Sequence, residues 1–194
     1  NLINSGCKTI AICGKFSTRN PSQELEVKKI ITDNFSNLAN IILSHQLSAK
    51  LNFPRRKVTT YFNSALIESQ QKFIKNIKAG LQDLNISAPI FILKADGGTM
   101  KLTQAKKLPV ETINSGPSAS IMGILALTEP QKTTLGVDIG GTTTDLSIFI
   151  NQDPLFKPKG IKIAYYNSSI RGLYTASIGC GGDSLVQVEN SSLT

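Results

Sequence analysis

The chain has 194 residues, 40% hydrophobic and 18% charged, which are proportions typical of a globular domain that needs no disulfide or metal to hold its core. No apolar run approaches the ~20 residues of a membrane-spanning helix, so we expect no membrane partner. The net charge of +8 suggests nucleic-acid binding. The lysines, however, are scattered and lack interleaved aromatic residues. We therefore interpret the excess as a basic surface and expect no nucleic-acid partner.

Cysteine usage indicates a reducing compartment. Cys7, Cys13 and Cys180 show neither CxxC spacing nor an even framework, so we expect neither disulfides nor zinc and predict a cytoplasmic location. The chain begins with Asn1 instead of Met, and we expect it to be a segment of a longer polypeptide.

The first part of the chain predicts a parallel βαβ unit. A strand over Thr9–Cys13 precedes a helix capped by Asn20-Pro21, and a second strand follows over Asn40–Ser44. Apolar residues recur in this helix at helical spacing, namely Leu25, Val27, Ile30, Ile31 and Phe35.

A long helix is predicted next, over Thr59–Leu84. Its apolar residues suggest a stripe facing the core, made of Phe62, Leu66, Phe73, Ile74, Ile77, Leu81 and Leu84.

Glycine turns and short strands dominate the remainder, so we predict two parts, 1–88 and 89–194. The predicted elements after residue 88 are a strand over Pro89–Lys94, a turn at Asp96-Gly97-Gly98, a brief strand over Val110–Ile113, a helix over Ser118–Leu127, two strands over Thr133–Ile139 and Thr143–Ile150, a strand-like stretch over Gly160–Tyr166, and a helix from Ser184.

The most informative segment is the hairpin 135–150, which contains the sequence DIGGTTTD. Asp138 at a strand end can hold Mg²⁺ directly or through water. Gly140 and Gly141 let the backbone approach a phosphate, and Thr142 and Thr143 add hydroxyl donors. Asp145 begins the returning strand. The alternative is an ordinary Gly-Gly hairpin with two polar aspartates.

A second glycine segment follows, with Gly179, Gly181 and Gly182 ahead of the predicted helix from Ser184. A helix N-terminus preceded by glycines can bind an anion. By itself the segment is equally compatible with a plain loop.

These two segments resemble the phosphate-binding parts of the actin, sugar-kinase and heat-shock-chaperone superfamily. Over nearly the whole chain, the sequence is similar to the A-type subunit of the hydantoinase/oxoprolinase family. The matching stretches are Ala11–Ile31, Ser44–Leu66, Pro109–Thr112 with Ser115-Gly116-Pro117, Asp138–Asp145 and Ile178–Ser184. Ala95 and Asp96, and likewise Cys180 and Asp183, depart from the family's pattern.

The resemblance implies an α/β actin-like ATPase (ribonuclease H-like) fold with a mixed sheet and flanking helices. It further implies ATP and Mg²⁺ as cofactors and ATP-dependent opening of a cyclic amide. Asp138 and Asp145 would be catalytic, with Asp138 holding the metal, and the two glycine segments would contact the nucleotide. The implied partners are the remaining domains of the parent chain and a B-type subunit, and we expect this segment alone to be inactive. Ketone carboxylation, small-molecule phosphorylation and a non-enzymatic ATP switch remain alternatives.

Four further positions have two interpretations each. Arg56 and the turn Asp96-Gly97-Gly98 are candidates for substrate contact, although a salt bridge and a simple turn would also explain them. His45, the single histidine, follows a strand and is interpreted as structural. Cys180 lies in the glycine segment without a nearby base, which argues against a nucleophile.

Overall fold

The computed structural model describes residues 6–35, 40–185, 187–189 and 192–193. The helices in this part of the chain are α1 (Ser22–Asn34), α2 (Ser44–Leu47), α3 (Phe53–Asp83), α4 (Leu102–Ala105) and α5 (Ser115–Thr128), with a 3-10 helix at Pro109–Thr112. The strands are β1 (Thr9–Ile12), β2 (Asn40–Leu43), β3 (Phe91–Leu93), β4 (Thr99–Lys101), β5 (Thr133–Ile139), β6 (Thr144–Ile150), β7 (Asp153–Pro154), β8 (Phe156–Lys157), β9 (Lys162–Ile163), β10 (Tyr166–Asn167), β11 (Gly172–Leu173), β12 (Thr175–Ile178), β13 (Val188–Glu189) and β14 (Ser192–Leu193). Among the helices described, none is both long enough and apolar enough to cross a bilayer.

The predicted βαβ unit is confirmed. β1 and β2 pair in parallel, with Thr9 opposite Asn40 and Ile12 opposite Leu43, and α1 forms the crossover. Because the strands are parallel, the loops that follow them meet at the same edge of the sheet.

Helix α1 differs from its prediction in its cap and in the residues it buries. Pro21 occupies the N-cap, and Asn20 Oδ1 accepts a hydrogen bond from Ser22 N at 3.0 Å. Leu25 and Ile30 are exposed, whereas Glu24 is buried. Glu24 is buried because it faces polar partners at the strand ends.

Helix α3 begins at Phe53 instead of Thr59. Asn52 caps it, since its side chain accepts a hydrogen bond from Arg55 N at 3.2 Å, and a proline lies in the first turn. The predicted apolar stripe is partly wrong, because Phe73 and Leu84 are 50% and 70% exposed. The buried positions of α3 are Arg56, Thr59, Thr60, Asn63, Ile67 and Ile74.

Asn63 shows why polar residues of α3 are buried. Its side chain donates to Lys107 O at 3.1 Å and accepts from Val110 N at 3.2 Å. The helix therefore satisfies backbone groups of an adjacent loop, which an apolar stripe would leave unpaired.

The same contact accounts for a wrong prediction at Val110–Ile113. This segment belongs to the 3-10 helix and not to a strand, because Val110 N bonds the side chain of α3. The turn Asp96-Gly97-Gly98 is confirmed and joins β3 to β4. The stretch Gly160–Tyr166 contributes the short antiparallel pair β9–β10.

The predicted hairpin β5–β6 is confirmed, and the ends of its two strands lie within one residue of the predicted ends. β12 and β7 also pair with β6, which makes an antiparallel sheet separate from the parallel pair β1–β2. Helix α5 lies against one face of this sheet. A side chain at Gly136 would place its Cβ 3.0 Å from Ile124 Cδ1, so this glycine permits the close approach of α5.

Three buried apolar clusters hold these elements together. They are Ala95, Val110, Ile161, Ile163 and Ile170; Ile74, Met100, Leu102 and Ala105; and Ile121, Phe149 and Leu173. Helix α3 also packs against the 3-10 helix and β10, so contacts cross the predicted boundary between 1–88 and 89–194. That division stays a prediction.

The opposite face of the antiparallel sheet is apolar and exposed. Leu135, Val137 and Ile139 alternate along β5 on this face and are 60%, 48% and 68% exposed.

Candidate functional site

The turn between β5 and β6 presents donors to solvent. Gly140 N closes the turn by donating to Thr143 O at 2.9 Å. Gly141, Thr142 and Thr143 are exposed, and in the described structure neither their backbone N–H groups nor the two threonine hydroxyls have a hydrogen-bond partner. Three successive free amides with two hydroxyls are a set of donors suited to phosphate oxygens.

The glycine segment 179–183 lies directly on this turn. Gly182 N donates to Gly140 O and Asp183 N donates to Gly141 O, both at 2.8 Å. A Cβ on Gly181 would lie 2.6 Å from Gly140 O, so a side chain there would push the two segments apart. The segment thus binds two carbonyl groups of the turn and leaves the amides of Gly141, Thr142 and Thr143 unused.

The predicted helix after this segment is wrong. Ser184, Leu185 and Gln187 are not helical, and β13 follows. A helix N-terminus is therefore not available to bind a phosphate here. The amides of Gly182 and Asp183 are used by the hairpin, and Gly181 N donates to Ser184 Oγ at 3.0 Å. The structure places Gly181 and Gly182 against the turn as its support, whereas a Cβ on Gly179 would meet nothing within 4 Å.

Two carboxylates face each other below the turn. Asp138 and Asp145 are directly opposite in the β5–β6 register, on the sheet face that α5 covers. Ser120 Oγ donates to Asp138 Oδ2 at 2.5 Å, and Ser177 Oγ donates to Asp145 Oδ1. Like charges opposite one another on neighbouring strands repel, and a cation between them would remove that cost.

This donor set fits Mg²⁺. The ion takes oxygen ligands, commonly one or two carboxylates completed by water and phosphate. Asp138 and Asp145 supply the carboxylates next to the free amides. The carboxylate of Asp183 lies close to the turn, because a Cβ built on Gly141 would be 2.8 Å from Asp183 Oδ2. It adds a third negative charge near the turn.

The turn Asp96-Gly97-Gly98 is built by its own contacts. Asp96 accepts from Gly98 N at 3.1 Å and pairs with Lys94 Nζ at 3.2 Å. Gly97 has φ +80° and packs closely on Met122 of α5. These contacts explain the turn as structure. A substrate contact for Asp96, Gly97 and Gly98 stays a prediction.

Arg56 is placed differently from its prediction as a substrate clamp. Its side chain is fully buried. The guanidinium donates to backbone carbonyls of residues 14, 15 and 50, at 2.5, 3.0 and 2.9 Å, and to Ser44 Oγ at 3.0 Å. With its donors used inside the protein, Arg56 joins α3 to the loops after β1 and β2.

Beside Arg56 lies a buried carboxylate that sequence reasoning missed. Glu24 is 1% exposed. Its Oε1 accepts from Gly14 N at 2.7 Å and Ser44 Oγ at 2.5 Å, and its Oε2 lies 2.6 Å from His45 Nδ1. The signal in the sequence was a glutamate in the first helical turn, with Ser-His directly after the next strand.

The ionisation of Glu24 follows from these contacts. Burial has the largest effect and by itself raises the pKa of the carboxyl group. The hydrogen bonds from Ser44, Gly14, His45 and Ser17 outweigh burial together and lower the pKa from 4.5 to about 2. Glu24 is therefore a carboxylate throughout the physiological range.

Ser120 and Ser177 were also missed. Both hold the hairpin carboxylates, but they come from α5 and β12, which are distant in sequence. The small polar residues within the apolar segment 115–128 were the available signal for Ser120.

The protein has an α/β fold, and this fold is shared with two solved enzyme structures. The chain superposes on nucleotide-free acetone carboxylase, an enzyme of ATP-dependent acetone carboxylation, with TM-score 0.80 and 23% identity, covering 100% of this chain and 28% of that one. The ATP-dependent caprolactamase from Pseudomonas jessenii gives TM-score 0.79 at 22% identity, covering 97% and 27%.

Residues 56–194 match the family model for hydantoinase/oxoprolinase, and the chain belongs to this family. The acetophenone carboxylase gamma subunit of Aromatoleum aromaticum is 24% identical over 98% of the chain. The chain spans 26% of that subunit's length. Members of the family therefore include parts of multi-subunit enzymes that are several times longer than this chain.

Proposed function

We propose that the turn between β5 and β6 binds the phosphates of ATP with Mg²⁺, as part of an enzyme that opens a cyclic amide ring. The observation that carries this proposal is the row of exposed amides at Gly141, Thr142 and Thr143. They have no hydrogen-bond partner among the described residues, and they follow the facing pair Asp138 and Asp145 in the hairpin. Phosphate oxygens need such donors, and the metal needs such acceptors.

Each group has a defined task in this proposal. The amides and threonine hydroxyls orient the phosphate chain. Asp138 would hold the metal, and Asp145 would offer a second carboxylate from the opposite strand. Mg²⁺, when bound, supplies positive charge against the charge that develops on the transferred phosphoryl group. Phosphorylation of the amide oxygen then activates the carbonyl carbon toward water.

Ketone carboxylation is the second candidate. The observation that favours it is the likeness to the acetophenone carboxylase gamma subunit over 98% of the chain. Both reactions begin with ATP activating an oxygen atom, so the same hairpin serves either. In both cases the partners proposed are the rest of the parent chain and a B-type subunit.

The hairpin is tested by Asp138→Ala in the full-length protein. We expect the affinity for Mg²⁺-ATP, measured by calorimetry, to fall at least about tenfold because the metal loses a charged ligand. Asp153→Ala, an exposed aspartate in β7 of the same sheet, is the matched control and should bind normally. Unchanged affinity in Asp138→Ala with an intact circular dichroism spectrum would refute the assignment.

The reaction is tested separately. Full-length protein with its partner subunit is incubated with ATP and either a cyclic amide (caprolactam, 5-oxoproline, hydantoin) or a ketone with bicarbonate. An open-chain amino acid supports ring opening, whereas a β-keto acid supports the second candidate.

A further inference from the structure

A second polar site lies at the carboxyl ends of β1 and β2. Glu24 reaches this edge from α1, His45 follows β2 directly, and Arg56 arrives from α3. Open α/β sheets bind ligands at the carboxyl ends of their parallel strands. The ATP hairpin uses none of these residues.

The hydrogen bonds determine which nitrogen of His45 carries the proton. Glu24 is ionised, so both of its oxygens can only accept. Oε2 lies 2.6 Å from His45 Nδ1, which must therefore be the donor. The neutral imidazole then has its lone pair on Nε2.

Nε2 is the unused polar atom of this cluster. The guanidinium of Arg56 is occupied by Ser44 and backbone carbonyls, and the hydroxyls of Ser17 and Ser44 bond each other at 3.1 Å. In the described part of the chain, Nε2 has no hydrogen-bond partner, and the His45 side chain keeps 17% of its surface exposed. A ring held through one nitrogen, with the other open, is the arrangement of a proton-transfer group.

We propose that Glu24 and His45 form a proton-transfer dyad in which Nε2 accepts a proton from a water molecule attacking a carbonyl carbon. The O–H bond of water breaks and an Nε2–H bond forms, while a lone pair of the water oxygen makes the bond to carbon and the π electron pair of the attacked carbon moves onto its heteroatom. Glu24 stabilises the resulting imidazolium, which returns the proton to the nitrogen as the C–N bond breaks and the carbon regains a double bond to oxygen. The identity of the attacked carbonyl, an activated amide, rests on the proposed function, but the state of the dyad does not.

The tautomer is the first test, and it needs no variant. His45 is the only histidine of the chain, so long-range ¹H–¹⁵N NMR of the 194-residue protein shows a single imidazole. We expect a protonated Nδ1 and an unprotonated Nε2. In Glu24→Gln, the side-chain amide can donate to Nδ1, which moves the proton to Nε2. A wild-type protein with its proton on Nε2 would overturn the proposal.

The reactivity of Nε2 is the second test. Diethyl pyrocarbonate should modify His45 in the native protein, and absorbance near 240 nm follows the reaction. In Glu24→Gln, the modification should be at least about fivefold slower. The His45→Gln variant gives the background absorbance change that does not come from this histidine. Equal rates in folded wild-type and Glu24→Gln protein would contradict a dyad.

The third test uses the complete enzyme. His45→Gln should lower kcat about 100-fold or more with little change in KM. Gln46→Ala, an exposed neighbour on α2, is the control and should keep kcat. Wild-type kcat in His45→Gln would refute the catalytic role. If the wild-type enzyme opens no ring, the proposed function is wrong. The tautomer of His45 and its modification rates then still test whether the dyad exists.

Discussion

Glu24 shows how strongly one residue's surroundings decide its chemistry. A carboxylate that is 1% exposed would be costly without partners, yet four hydrogen-bond donors surround it. Glu24 of α1 also links separate segments of the chain, because its donors come from the loop after β1 and from the start of α2. Arg56 of α3 binds at the same place.

This carboxylate should make stability depend on pH. The pKa of Glu24 is lowered to about 2 in the folded chain, from an ordinary value of 4.5. Its contribution, on the order of 3 kcal/mol, is fully present above pH ~4.5 and is lost as the pH falls toward 2. Glu24→Gln should lower the free energy of unfolding at pH 7 and flatten its decline between pH 4.5 and 2, as measured by urea denaturation. A parallel decline in both proteins would contradict this account.

Two glycines of one loop form a matched pair. A Cβ on Gly181 would collide with the carbonyls of the hairpin turn, whereas a Cβ on Gly179 meets nothing within 4 Å. We expect Gly181→Ala to weaken Mg²⁺-ATP binding by the full-length protein at least about tenfold, because the amides of the turn are displaced. Gly179→Ala should bind normally. Equal affinities in the two variants would show that the loop does not support the turn.

At the scale of elements, α3 contacts segments on both sides of the predicted boundary between 1–88 and 89–194. It packs on β1 and β2 and also on the 3-10 helix and β10. Its N-terminus is fixed by a specific cap, since Asn52 accepts from Arg55 N and Arg55 Nη1 in turn donates to Lys159 O at 2.9 Å.

Removing that cap should destabilise the whole fold. Asn52→Ala leaves the first-turn amide without its side-chain partner and should cost about 1 kcal/mol. Asn52→Asp retains a capping oxygen and serves as the control. The measurement is the midpoint of chemical unfolding, and an unchanged midpoint in Asn52→Ala would mean that water replaces the cap without cost.

At the scale of the whole molecule, the described residues cover the sheet of β5, β6 and β12 on one face only. Helix α5 packs against the Gly136 side, while Leu135, Val137 and Ile139 face outward. An exposed apolar sheet face of this kind is usually buried by further structure. The chain spans 26% of the acetophenone carboxylase gamma subunit and 28% of acetone carboxylase, so we propose that the cover is a further part of a polypeptide of that length.

The isolated 194-residue chain should therefore self-associate through this face. Sedimentation velocity should show oligomers that decrease with dilution, and Leu135→Thr with Ile139→Thr should shift the protein toward monomer. Threonine suits a strand, so the double variant keeps the local backbone preference. The exposed positions Leu25 and Ile30 on α1 provide the control, and their substitution by threonine should leave the oligomers unchanged. A monomeric wild-type chain at high concentration would contradict the prediction.

Much of the local structure was predictable because it rests on short-range rules. The hairpin 135–150, the parallel βαβ unit and the glycine turn at residues 96–98 follow from strand alternation, turn residues and element order. The family resemblance likewise rests on contiguous motifs such as Asp138–Asp145. These features need only neighbouring residues to specify them.

Other features were decided by contacts between distant segments. The amino-acid pattern of α3 suggested an apolar stripe, but its buried positions Arg56 and Asn63 satisfy backbone groups of separate loops. The helix expected after Ser184 does not form in the described residues, where the amides of Gly182 and Asp183 bind the hairpin instead.

By itself, the sequence determined the hairpin, its glycines and its aspartates, because a tight turn and its chemistry are local properties. Only the tertiary structure decided that Glu24 is buried and ionised and that His45 keeps one nitrogen open. It also determined that serines from α5 and β12 hold the hairpin carboxylates. Hydrogen bonds of this kind join residues 18 to 32 positions apart, and hydrophobic spacing along a single element contains no information about them.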